Sequence, residues 1–221
     1  MDNQFWLDRW VEGDIGFHRE EVHPELVAHW AKLGLPPRSR VLVPLCGATP
    51  DMAWIAAQNN EVIGVELSPI AVERFLMDHR VRHITMDEMG FRTYLGGRYQ
   101  LWCGDFFALP KEVFSGIDAV YDRASLVAFP DDLRPRYAAF LARQLNPGTH
   151  VLLVSLAYNS SEMNGPPFSV PQDEIEKLFS ADFEITVLGT NDVITGNAGL
   201  AKRGISALNE TTYLLKRKPT A

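Results

Sequence analysis

The chain has 221 residues, 46% of them hydrophobic and 22% charged, which is enough for one well-buried α/β domain and too few for two. Its formal charge of −7, with no basic run longer than Lys216-Arg217-Lys218, argues against nucleic acid or an anionic membrane and for a small-molecule partner. No apolar run approaches the roughly 18 residues of a membrane span, and Met1-Asp-Asn-Gln-Phe-Trp6 shows no basic-then-apolar leader, so a cytoplasmic protein is expected, and a monomer.

Residues 1–35 read as an N-terminal helical annex, in which Trp6 and Trp10 share one helical face. From residue 36 strands and helices alternate, the pattern of a Rossmann-like α/β fold with a mostly parallel sheet and helices on both faces. Val41–Leu45 is the first strand, and Pro50 opens the helix Asp51–Asn59. Val62–Glu66 is the second strand. Ser68 caps a helix with Pro69 at its first position, running to about His79 and offering Ile70, Val72, Phe75 and Leu76 to the core.

Residues 80–98 break this rhythm. Phe91, Tyr94 and a Gly96-Gly97 turn point to a small insertion or hairpin. Tyr99–Cys103 is the third strand, followed by Gly104-Asp-Phe-Phe107, and Ile117–Tyr121 is the fourth, with Asp122-Arg123 at its carboxyl end. A helix over Leu133–Leu145 stops at Asn146-Pro-Gly148 and leads into a strand, His150–Leu156. Pro171–Phe179 opens another helix, and Phe183–Leu188 and Thr211–Lys216 close the chain as β segments. Without a repeat or a low-complexity tract, residues 1–221 read as one domain.

The chemistry concentrates in Arg40-Val-Leu-Val-Pro-Leu-Cys-Gly-Ala-Thr-Pro-Asp-Met52 and Glu61-Val-Ile-Gly-Val-Glu-Leu-Ser68. An apolar strand turns at a lone glycine, Gly47, and the next strand ends in a carboxylate, Glu66. That is the layout with which a doubly wound sheet holds a nucleoside, the acid accepting hydrogen bonds from the ribose. A dinucleotide fingerprint carries three glycines and this loop carries one, so the ligand is one without phosphates, such as S-adenosyl-L-methionine. Leu45–Gly47, Glu66, Asp105-Phe106 and Asp122-Arg123 all fall at carboxyl strand ends, where ligands bind in such sheets. Cys46 and Cys103 belong to no CxxC pair and have no histidine cluster beside them, so free buried thiols and no metal site are expected.

Phe5-Trp-Leu-Asp-Arg-Trp10, Gly16-Phe-His18, Val43-Pro-Leu-Cys-Gly47, Gly64-Val-Glu-Leu-Ser68, Gly104-Asp-Phe-Phe107, Tyr121-Asp-Arg-Ala-Ser-Leu-Val-Ala128, Gly165-Pro-Pro-Phe168 and Tyr213-Leu-Leu215 together resemble the thiopurine S-methyltransferase family over nearly the whole chain. The resemblance implies a seven-stranded class I methyltransferase fold that uses S-adenosyl-L-methionine. It implies methylation of thiol sulfur on aromatic or heterocyclic compounds, with reduced selenium or tellurium species as further acceptors. The cofactor-contacting positions of the family fall on Trp10, Leu45, Glu66 and Arg123, with Asp105 and Phe106 flanking the adenine. Phe17 falls where cofactor and substrate meet, Arg123 serves substrate as well, and Arg203 is the candidate second substrate-contacting arginine. The family's usual lysine after Pro-Leu-Cys-Gly is Ala48 here, and Asn197–Ile205 matches animal members poorly.

Each of these residues also has a plainer reading. Trp6, Trp10 and Phe17 fit ordinary packing of an amphipathic helix. Asp105 fits a turn cap as well as an adenine contact, Arg123 a surface ion pair with Asp122, and His18 a structural hydrogen bond as well as a base. No Ser-His-Asp set and no paired catalytic carboxylates occur, in keeping with methyl transfer to a thiolate, which needs no dedicated base. Two rival functions remain at this stage. A nicotinamide-dependent oxidoreductase is disfavoured by the missing glycines, and a non-catalytic cofactor-binding protein by the retained Trp10, Leu45, Glu66 and Arg123.

Overall fold

A computed structural model describes residues 3–219; Met1 and Asp2, the start of the expected annex, and Thr220 and Ala221, the end of the expected domain, lie outside the described residues. The chain divides into two compact units, with the boundary between Tyr121 and Asp122.

The first unit begins with α1 (Asn3–Glu12) and α2 (Pro24–His29), the latter entered through Pro24. The alternating part follows as β1 (Arg40–Val43), α3 (Asp51–Ala57), β2 (Glu61–Glu66) and α4 (Pro69–Asp78). Then come β3 (Ile84–Glu88), β4 (Phe91–Gly96), β5 (Tyr99–Cys103) and β6 (Ile117–Arg123), whose last two residues pass into the second unit. β2 pairs parallel with β1 and with β5, and β1 pairs parallel with β6. Val41, Leu42, Val43, Val62, Ile63 and Val65 are buried, as a sheet covered on both faces requires of its near-continuous apolar strands.

Residues 80–98 are the expected hairpin, and they extend the sheet. β3 and β4 pair antiparallel from Ile84↔Leu95 to Glu88↔Phe91, and β4 pairs antiparallel with β5 across the Gly97-Arg98 turn. Nine strands are therefore present among the described residues, where the family resemblance implied seven. Periodicity could not reveal β3, because Ile84 and Met86 are exposed and the strand buries no apolar face.

The second unit holds α5 (Arg134–Gln144), β7 (His150–Ala157), α6 (Gln172–Phe179), β8 (Phe183–Asp192), α7 (Ala198–Lys202) and β9 (Asn209–Arg217). β9 lies antiparallel between β7 and β8. The poorly matching segment between β8 and β9 forms a 3₁₀ turn and α7, which pack Ile205 and Leu208 against Met163 in a small core of their own.

Two expectations within α4 fail. Ile70 is 43% exposed while Val72, Phe75 and Leu76 are buried, because it sits in the first turn, off the face that α4 presents to the sheet. Ser68 stands at the N-cap, but its hydroxyl makes no capping bond; its backbone N–H is held by Glu66 instead.

Gly64 lies in the middle of β2, where a Cβ would stand 2.7 Å from Leu101 Cδ2 and 3.0 Å from both Cys46 Sγ and Met52 Sδ. These neighbours are all buried and have no room to retreat. We expect Gly64→Ala to lower unfolding free energy by about 1–3 kcal/mol, the usual penalty of overpacking, measurable as a shifted urea midpoint at constant slope.

Candidate functional site

The site is built where β1 gives way to α3. Pro44 has no backbone N–H to continue the ladder, and Leu45 takes φ +46, so the strand ends at Val43 instead of at Leu45. The chain then doubles back: the Cys46 N–H donates to Val65 O at 3.0 Å, and Gly47 takes φ +53. In that conformation the Gly47 N–H donates to Glu66 Oε2 at 2.8 Å, and the Ser68 N–H donates to Glu66 Oε1 at 2.8 Å. Each carboxylate oxygen thus accepts a short amide bond, the Leu67 amide adds a weaker one, and acceptor capacity is left over. Glu66 is buried, and burial raises its pKa, an effect opposed by the amide bonds from Ser68 and Gly47.

The annex closes over this turn. A Cβ on Gly47 would lie 3.2 Å from Trp10 Cζ2, so the indole rests almost on the glycine backbone. Trp10 is buried and meets Phe17 edge to face at 5.8 Å; Phe17 meets Trp6 in the same way at 5.6 Å. The His18 ring lies 6.3 Å from that of Trp10, with Nε2 3.6 Å from Glu20 Oε1.

Asp51 secures the annex, a role that no sequence pattern signals. Its carboxylate is fully buried and accepts the His23 N–H at 2.7 Å and the Tyr121 hydroxyl at 2.9 Å, joining the annex, α3 and β6. In sequence Asp51 looks like an ordinary first-turn acid. Arg74 of α4 adds an ion pair to Glu20 at 2.9 Å.

At the end of β5 the Gly104 N–H donates to Glu66 O at 2.8 Å, which sets Asp105-Phe106 next to the tip of β2. Asp105 is exposed and caps a 3₁₀ turn by accepting the Phe107 N–H at 2.9 Å, while Phe106 is buried. Trp10, Phe17, Leu45, Glu66, Asp105 and Phe106 therefore all belong to the first unit: Trp10 on α1, Phe17 in the annex after it, Glu66 at the tip of β2, and the others in the turns after β1 and β5. The hydroxyl of Ser68, also buried there, has no hydrogen-bond partner among the described residues.

Arg123 and Arg203 belong to the second unit. Arg123 ends β6; Asp122 beside it is buried, not on the surface, and accepts the Tyr137 hydroxyl at 2.7 Å and the Leu126 N–H at 3.1 Å. Arg203 follows α7 and donates to Pro166 O at 2.9 Å, and Tyr158 donates to Pro167 O at 2.6 Å. The Gly165–Phe168 loop is thus held from two sides, with the Phe168 ring against Gly165. Both cysteines are free; Cys46 is buried, but Cys103 is only half-buried, since it ends β5. Its thiol is pushed up to about 11, by burial first and by Glu66 second.

Solved structures share this architecture. A Haemonchus contortus phosphoethanolamine N-methyltransferase 2 in complex with S-adenosyl-L-methionine matches all of this chain and 60% of its own length, with a TM-score of 0.67 at 14% identity. A methyltransferase described as S-adenosylmethionine-dependent, from Anabaena variabilis, matches 98% of this chain and 95% of its own, with a TM-score of 0.67 at 15% identity. The fold is the Rossmann-like class I fold of S-adenosylmethionine-dependent methyltransferases.

The sequence profile described as thiopurine S-methyltransferase matches residues 1–218. Proteins named thiopurine S-methyltransferase from Bordetella petrii and Nitrosospira multiformis are 42% and 43% identical, covering 99% and 97% of this chain and 100% and 98% of their own lengths. The chain belongs to the thiopurine S-methyltransferase family. The residues of the first unit fit that family's cofactor. Glu66 has acceptor capacity left for a ribose diol, and the Ser68 hydroxyl offers an unused donor.

Two predictions follow from this geometry. Asp51→Ala removes the carboxylate that the Tyr121 hydroxyl and the His23 N–H donate to in the interior. It should destabilise the protein by about 2–4 kcal/mol and expose the annex to proteolysis, whereas Asp51→Asn should recover part of the loss. The second concerns pH. With its pKa raised by burial, Glu66 takes up a proton at a pH where an exposed glutamate is still ionised, and protonation removes acceptor capacity. Affinity for S-adenosylhomocysteine should therefore fall as pH is lowered through that range and stay flat in Glu66→Gln, as titration calorimetry would show. Folding stability runs the other way: the contribution of this group is full below its unfolded pKa and lost as pH rises through its folded one.

Proposed function

We propose that the protein transfers the methyl group of S-adenosyl-L-methionine directly to the thiolate of aromatic or heterocyclic thiols such as thiopurines, with reduced selenium or tellurium species as further acceptors. The observation that carries this reading is the joint fixation of Glu66, Gly47 and Trp10 at the β1–α3 turn, together with membership of the family. When bound, the cofactor supplies a methyl group activated by its sulfonium charge. Glu66 receives the ribose hydroxyls, and the Leu45–Gly47 turn passes beneath the nucleoside. Phe106 packs beside the adenine, and Asp105, although it caps its own turn, keeps a second oxygen for the adenine amino group.

Trp10 and Phe17 present aromatic faces to the sulfonium, an arrangement cation–π attraction favours, and Phe17 also borders the acceptor. Arg123 binds a carboxylate, of cofactor or substrate, through its planar fork. Arg203 acts on the acceptor through the Gly165–Phe168 loop, whose Pro166 carbonyl it holds. Residues 1–18 act as a lid that keeps water from the acceptor, and residues 1–221 act as one catalytic domain. Exclusion of water favours the step because opposite charges are neutralised in it.

No enzyme base is required, since an aromatic thiol ionises near neutral pH and the thiolate is the nucleophile. The rise of kcat/KM with pH should accordingly track the acidity of each thiol in a series, electron-poor thiols reaching their plateau first. His18→Gln should leave each midpoint in place. A midpoint common to all thiols, and lost in His18→Gln, would assign the proton to the enzyme.

A further inference from the structure

The edge of the sheet opposite Glu66 is concave. A cavity of about 580 Å³ lies at the amino ends of β1, β2 and β5, and Arg38, Arg40, Glu61, Arg98 and the Gly96-Gly97 turn line it. β2 separates it from the cofactor edge by about 17 Å of extended chain.

Backbone geometry gathers the three arginines. The Arg38 N–H donates to Asn59 O at 2.8 Å, with both residues at positive φ, and the Val62 N–H donates to Arg98 O at 2.8 Å. Neutral acceptors orient two of the guanidinium groups: Arg98 Nη2 donates to Asn59 Oδ1, and Arg40 Nη1 to Ser115 O. None of the three forms an ion pair with a carboxylate among the described residues, although the chain carries a net charge of −7. The acidic groups nearby are Glu61, in the lining, and Asp118, whose Oδ2 accepts the Arg40 N–H at 2.8 Å. The donors these three guanidinium groups keep, all on residues that line one cavity, match the oxygens of a compact polyanion.

We propose that this cavity is a second ligand site, for a compact, multiply charged anion of phosphate-ester or polycarboxylate type. Arg38, Arg40 and Arg98 supply the fork contacts, and Glu61 limits affinity and selects for high ligand charge. The site is independent of the methyl-transfer reading, because it shares no residue with the cofactor edge.

Calorimetric titration of the whole chain with pyrophosphate and with citrate tests it. One of the two should bind, and which binds tighter identifies the ligand chemistry. Arg38→Gln with Arg98→Gln should weaken that binding at least about tenfold, while Lys111→Gln with Lys177→Gln, an equal loss of charge elsewhere, should leave it within about twofold. Glu61→Gln should tighten it several-fold, a gain that poor folding cannot mimic. Affinity for S-adenosylhomocysteine should be the same in all of these variants. Absence of binding for both anions, or equal weakening by the two paired substitutions, overturns the proposal.

Discussion

The Glu66 carboxylate, gripped by the amides of Gly47 and Ser68, is the interaction on which the rest of the first unit depends. Those two donors come from different segments, one in the turn after β1 and one at the head of α4, so the carboxylate joins them at the carboxyl edge of the sheet. A buried carboxylate is tolerable only when its oxygens are hydrogen-bonded. The same bonds that meet this requirement also fix the direction of the remaining lone pairs. The direction of those lone pairs and local stability are in this way one feature.

The requirement extends outward. For its N–H to reach Glu66, Gly47 must take a left-handed conformation, and for Trp10 to cover the turn, position 47 must lack a side chain. The annex then needs an anchor of its own, and Asp51 provides it through His23 and Tyr121. The order of dependence runs from a carboxylate to a glycine, from the glycine to an indole, and from the indole to a buried aspartate. Ala48 is buried beside this turn, and its methyl group suits the apolar surroundings better than a cation would.

Much of this was legible in the sequence because strand ends carry strong signals. The lone glycine after β1 and the acid at the tip of β2 marked the two positions that the structure joins by a hydrogen bond, and the order of β1, α3, β2 and α4 followed from hydrophobic patterning and from Pro50 and Pro69. What escaped has physical reasons. β3 has an exposed, mixed pattern, so nothing in its periodicity distinguishes it from a loop. Asp51 is bound by a backbone N–H 28 residues away and a hydroxyl 70 residues away, partners that no local pattern can reveal. The family resemblance puts Arg203 on the substrate side; its bond to the carbonyl of Pro166, 37 residues away, is another partner that no local pattern can reveal.

The central claim is that the pre-fixed Glu66 carboxylate reads the ribose hydroxyls. A double-mutant cycle tests it most directly, pairing the wild type and Glu66→Gln with S-adenosylhomocysteine and its 2′-deoxy and 3′-deoxy analogues. Removing a hydroxyl should weaken binding to the wild type and have little effect on the variant, with a coupling energy of about 1–3 kcal/mol for at least one hydroxyl. Equal losses in both proteins, and so no coupling at either hydroxyl, would contradict the account.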